Sequence, residues 1–119
     1  MLRKQLKLST KNSLDNIVKK IYITDIKPLC SDSVFEGLYL KVNEFFRDRA
    51  DSKKPQKSKN QSIGGGYLFS CGLKNLGVDA DRIKIDVAEN GKPYVLGEGI
   101  FFNIAHSEDM AVCAFASSE

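Results

Sequence analysis

The chain has 119 residues, 42% of them hydrophobic, and a formal net charge of +3. That length allows one core and little more, so a single domain or one lobe of a two-lobed protein is expected. No apolar run approaches a membrane span and none near Met1 has the length of a secretory core, which points to a cytoplasmic protein. The three cysteines, Cys30, Cys71 and Cys113, are scattered without a Cys-x-x-Cys spacing. Such spacing argues against a disulfide framework or a zinc site and for reduced, buried thiols. Six of the eighteen Lys and Arg fall within residues 1–20 and six within residues 47–60, so the rest of the chain is net acidic. Basic character this local implies a local anionic partner.

Residues 1–19 read as a basic, poorly ordered tail, too poor in arginine and lacking the apolar face of a targeting segment. Lys20 to Ile26 alternates apolar and polar residues, as a half-buried strand does. Ser33 with Glu36 then fits a capping box, and Val34, Leu38, Val42, Phe45 and Phe46 recur on one face, so one helix is expected from Ser33 to just before Asp51. Its apolar stripe is core. Lys53 to Lys59 offers nothing to bury and reads as a solvated loop. The alternative is that its cations, with Arg47 and Arg49, wall a phosphate site or dock an acidic protein.

A second helix is expected from Ser62 to Leu76, stopped by Gly77. Gly64-Gly65-Gly66 is awkward inside it, because each glycine costs about 1 kcal/mol against alanine. Three together imply a later helix start or a close approach by another backbone, and without a following Gly-Lys-Ser/Thr they are not a Walker loop. Arg82 to Ala88 alternates again, and Asn90-Gly91 turns it back into Lys92 to Val95 as a hairpin. Ile100 to Ile104 and Met110 to Ala116 read as two further strands meeting at His106-Ser107-Glu108-Asp109. The second, apolar on both faces, is expected to be central.

Chemistry concentrates near the end, where a hairpin turn presents Lys92 and a strand end carries His106, the only histidine. A lysine head group offers three donors on a point charge and an imidazole donates from a fixed plane, a pair suited to phosphate. Gly91-Lys92-Pro93, followed by Phe102-Asn103-Ile104-Ala105-His106-Ser107 and the apolar strand to Phe115, resembles the first signature region of 4′-phosphopantetheinyl transferases of the larger, surfactin-synthetase-activating type. Similarity of pattern reaches back to about Lys20.

That resemblance implies an α+β fold with two helices packed on a mainly antiparallel sheet, residues 20–119 forming the N-terminal lobe of a two-lobed enzyme. It also implies transfer of the phosphopantetheine arm of coenzyme A to a serine of an apo acyl or peptidyl carrier protein, with release of adenosine 3′,5′-bisphosphate. Coenzyme A is then a substrate. Lys92 would pair with a coenzyme A phosphate and His106 would donate to the 3′-phosphate. Pro93, Ala105 and Ser107 would flank them, and Arg49 and Ser62 would complete the site. Ala105 stands where the family carries serine, so any hydroxyl contribution there is lost.

Members of the family hold Mg²⁺ with carboxylates from a later segment, and a Lys-Glu helix follows. Neither motif occurs in this chain, which is therefore expected to lack the metal ligands and to be inactive alone, as a fragment or as half of a split enzyme awaiting its C-terminal lobe. Two further readings stay open: a non-catalytic module that binds coenzyme A or a carrier protein, and a binder of nucleic acid or another polyanion. The last ranks lowest because no aromatics interleave with the lysines.

Overall fold

The structure, a computed structural model, describes residues 4–10 and 18–116. Four antiparallel strands form one sheet: β1 (Lys4–Thr10), β2 (Val18–Asp25), β5 (Phe101–Ser107) and β6 (Met110–Ala116), in the spatial order β1-β2-β6-β5. As its doubly apolar sequence implies, β6 is central. Three helices, α1 (Asp32–Tyr39), α2 (Glu44–Asp51) and α3 (Gln56–Asn75), follow β2 in the chain. A separate hairpin of β3 (Ile85–Val87) and β4 (Pro93–Val95) precedes β5. The α+β class with a mainly antiparallel sheet is observed.

Four local expectations are corrected. Lys4–Thr10, assigned to a tail, pairs with β2 along its whole length, Lys4 opposite Thr24 and Thr10 opposite Val18. Pairing with β2 satisfies one side of its backbone, and Leu6 and Leu8, alternating with Gln5, Lys7 and Ser9, are the period-two signal that its basic composition masked. Residues 1–3 and 11–17 of the expected tail lie outside the described residues. Secondly, the single helix expected up to Asp51 is two. Asn43 breaks it: its backbone is extended (φ −58°, ψ 143°), and its side chain accepts from Phe45 N at 2.9 Å to cap α2. The same amide donates to Ala80 O at 2.8 Å and Ile83 O at 3.0 Å, which ties the break to the start of the hairpin. At the head of α1 the cap is Ser31, whose hydroxyl meets that of Ser33 at 3.2 Å and makes no capping bond to the helix backbone, and not the Ser33 box.

Thirdly, α3 begins at Gln56, six positions before Ser62, so half of the lysine-rich stretch is helical. Pro55 at the cap presets its own φ, and Lys59 Nζ donates to Ala50 O at 3.1 Å, which stitches α3 to α2. Fourthly, of the three cysteines only Cys113 is fully buried, and Cys30 is exposed. All three are free, and burial pushes the Cys113 thiol well above its usual range.

The glycines explain how α3 fits. A Cβ on Gly64 would lie 2.5 Å from Ile26 Cγ2, on Gly65 3.0 Å from Ile104 Cγ2, and on Gly66 2.7 Å from the Phe46 ring. Side chains of the sheet and of α2, not another backbone, press against the helix there. Close packing offsets the lost helix propensity. Beneath α3 the inward-facing residues align in rows across the strands: Lys20–Phe115–Phe102, Tyr22–Cys113–Ile104 and Thr24–Ala111–His106. The core of Tyr22, Phe69, Phe102 and Phe115 fills the space between sheet and helix, while the last of these rows ends at His106.

Candidate functional site

Four elements, α2, α3, β4 and β5, meet beside His106 around a cavity of about 200 Å³. From α2 come Phe46 and Arg49, with Lys53 just beyond its end. From α3 come Ser58, Gln61, Ser62 and Gly65, and from the sheet side come Pro93, Ile104 and His106. The α3 residues are spaced three and four apart and therefore share one face. Arg49, Lys53 and His106 carry or can carry positive charge, and no Asp or Glu lines the cavity. Gly65 lets the wall come close, its absent Cβ leaving Ile104 as the floor.

Arg49 is held in two ways. Its guanidinium lies over the Phe45 ring, 5.1 Å from the centroid, and Nη2 donates to Gly91 O at 3.3 Å. Ser62 donates its hydroxyl to Phe46 O at 3.0 Å, so the proton that a phosphate oxygen would take is used to join α3 to α2. At the rim, Lys57 pairs with Glu108 at 2.6 Å. The hydrogen bond between them raises the Lys57 ammonium and lowers the Glu108 carboxyl from their ordinary values. Gln61 Nε2 also donates to Glu108 O at 3.5 Å. Together these contacts hold the β5–β6 turn, in which Glu108 has φ 47°, against the start of α3.

Of the seven residues selected from the sequence, the cavity brings together Arg49, Ser62, Pro93 and His106. Lys92 lines a neighbouring cavity of about 490 Å³ with Asn90, Tyr94 and Phe101, and Pro93 borders both spaces. Ala105 and Ser107 lie on the sheet face opposite His106, because side chains alternate along β5. Sequence reasoning missed Ser58 and Gln61. Starting α3 at Gln56 would have revealed them on the same face as Ser62.

A larger cavity of about 690 Å³ lies between α2 and the Asp81–Asp86 segment. It mixes Arg47, Arg82 and Lys84 with Glu44, Asp48, Asp81 and Asp86, so it does not favour an anion. Among the described residues no three His, Cys, Asp or Glu converge as metal ligands. Among them, too, no helix is long and apolar enough to cross a membrane.

The fold is similar to that of a holo-(acyl-carrier-protein) synthase. The crystal structure of such an enzyme from Bacillus anthracis str. Ames, in complex with CoA (3′,5′-ADP), superposes with a TM-score of 0.61 at 16% identity, covering 82% of this chain and 92% of that one. In sequence, the chain is similar to the 4′-phosphopantetheinyl transferase HetI of Nostoc sp. (strain PCC 7120 / SAG 25.82 / UTEX 2576), 35% identical over 65 residues. That stretch is 50% of this chain and 27% of the relative, so only a minor part of the longer protein is matched. No family model matches the chain.

Proposed function

We propose that this chain is the coenzyme A phosphate-binding lobe of a 4′-phosphopantetheinyl transferase of the larger, surfactin-synthetase-activating type, which loads an apo acyl or peptidyl carrier protein. The observation that carries the reading is the cavity in which Arg49, Lys53 and His106 converge with no lining carboxylate. Cations preplaced around a small concavity stabilise a phosphate, and a guanidinium and an imidazole together offer directional donors. In this reading His106 donates to the 3′-phosphate and Arg49 faces the same anion. Lys92, across Pro93, meets a second phosphate of the same molecule.

The similarity to a 4′-phosphopantetheinyl transferase supports the reaction class, and the fold shared with a CoA-bound synthase supports the ligand. The order Gly-Lys-Pro, then Phe-Asn-Ile-Ala-His-Ser, supports the larger type. A non-catalytic coenzyme A module is the second reading, and it predicts coenzyme A binding without transfer. In the transferase reading the Mg²⁺ ligands belong to a C-terminal lobe.

The test is the intact mass of an apo acyl carrier protein after incubation with this chain, coenzyme A and Mg²⁺, alongside calorimetric titration of the chain with coenzyme A. Binding without a mass gain, weakened in His106→Ala, is the expected result. Absence of binding at millimolar coenzyme A refutes the assignment of the site. A gain of one phosphopantetheine refutes the claim that the lobe is inactive alone.

A further inference from the structure

We infer that Arg49 is a positioning residue that couples the cationic cavity to the tip of the β3–β4 hairpin, and thereby sets where Lys92 stands. The peptide unit between Gly91 and Lys92 is gripped at both ends by side chains. Its carbonyl accepts from Arg49 Nη2 at 3.3 Å, and its N–H donates to Asn90 Oδ1 at 3.0 Å. Gly91 has φ 87°, and the hairpin's own bonds, Gly91 N–H to Ala88 O and Ala88 N–H to Lys92 O, both 2.9 Å, fix the peptide units on either side but leave this one to the two side chains. Among the described residues, no other hydrogen bond joins residues 88–92 to the helices.

Arg49 can serve both places because a guanidinium has five donors in a rigid plane. One is used on Gly91, the Phe45 ring fixes the plane, and the side chain still lines the cavity beside His106. An anion entering the cavity and the Gly91 carbonyl therefore share one cation. Occupancy of the cavity stiffens the guanidinium, and the guanidinium stiffens the peptide from which Lys92 extends. A lysine at position 49 would keep the charge but, as a point charge on a flexible stem, could not hold both acceptors in one plane.

The identity of the anion rests on the coenzyme A reading; the grip on the hairpin does not. The test has two arms on the full chain. In the first, residue-resolved amide hydrogen exchange is compared in ligand-free wild type and R49K. Exchange at Gly91 and Lys92 is expected to quicken by about fivefold or more in R49K, with the β2–β6 amides unchanged. Unchanged exchange at the tip overturns the inference.

In the second arm, coenzyme A affinity is measured for wild type, R49K, K92A and the double variant. R49K is expected to weaken binding about tenfold alone and threefold or less in the K92A background, since residues that act through one another are not additive. Full additivity overturns the coupling. If wild type binds no coenzyme A, the functional reading falls and the first arm alone decides. Should R49K not fold, Arg49→Gln also removes the guanidinium and must show the faster exchange at Gly91 and Lys92; if it does not, the inference is wrong.

Discussion

Gly72→Ala and Gly37→Ala are the same substitution in two helices of one protein, and the structure assigns them opposite signs. A Cβ on Gly72 would lie 2.1 Å from Phe115 Cε1, 2.6 Å from Cζ and 2.8 Å from Cδ1. The ring has no room to retreat. It stands edge-on to Tyr22 at 5.8 Å, stacks on Phe69 at 5.9 Å and meets Phe102 at 6.4 Å, and only 5% of Phe115 is exposed. Overpacking of this kind costs about 1–3 kcal/mol, against a helix-propensity gain of at most about 1 kcal/mol. The net expectation for Gly72→Ala is a loss of about 1–2 kcal/mol. At Gly37 in α1 nothing lies within 4 Å of the added atom, so the propensity gain stands alone, at about 0.5–1 kcal/mol. Urea unfolding of both variants with a common m-value measures the difference. If Gly72→Ala proves as stable as wild type, the claim that glycine is what lets α3 close on the sheet is refuted.

Three other outcomes follow from the packing. Asn43→Ala removes the α2 cap and leaves the Ala80 and Ile83 carbonyls without that donor; a loss of about 2–4 kcal/mol in urea unfolding is expected, larger than for an ordinary cap. For Lys57–Glu108, the lowered carboxyl contributes stability that is present above its unfolded pKa and lost as pH falls through the folded one. The raised ammonium contributes below its unfolded pKa and loses it as pH rises through the folded one. An NMR titration of the Glu108 carboxyl should therefore move up toward the ordinary range in Lys57→Met, and an unmoved titration would show that the pair is not formed in solution. Cys30 should react with a thiol reagent in the native protein while Cys113, buried and with its thiol pushed up, reacts only on unfolding; mass mapping of the labelled sites checks the order.

Much of the site's chemistry was legible, and its arrangement was not. Lys92 and His106 were singled out as a proposed phosphate site because an ammonium and an imidazole supply donors at a turn and a strand end, and because the Gly-Lys-Pro and Phe-Asn-Ile-Ala-His-Ser order resembles a family signature. Which of them share a cavity depended on features with no local signal. Alternation along β5 turned Ala105 and Ser107 away from His106, and Pro93 separated Lys92 from it. Ser58 and Gln61 joined only because α3 begins at Gln56.

By itself the sequence determined the alternating strand β2, the Asn90-Gly91 hairpin turn, the central place of the doubly apolar β6 and the stop at Gly77, since each is dictated by periodicity or by a glycine's access to positive φ within a few residues. The strand expected from Arg82 to Ala88 shrinks to Ile85–Val87, because Ala80–Arg82 forms a 3-10 turn capped by the Asp79 side chain. Tertiary structure decided the rest. Asn43 sits within an apolar stripe that continues at helical spacing from Val42 to Phe46, and it breaks the helix because its amide finds partners about 40 residues away at Ala80 and Ile83. Gly64, Gly65 and Gly66 remain helical because Ile26, Ile104 and Phe46 occupy the space that side chains would need. A basic segment at Lys4–Thr10 becomes a strand because β2 offers an open edge. In each case the deciding partner is remote in sequence, and local propensity, at about 1 kcal/mol or less per residue, gives way to it.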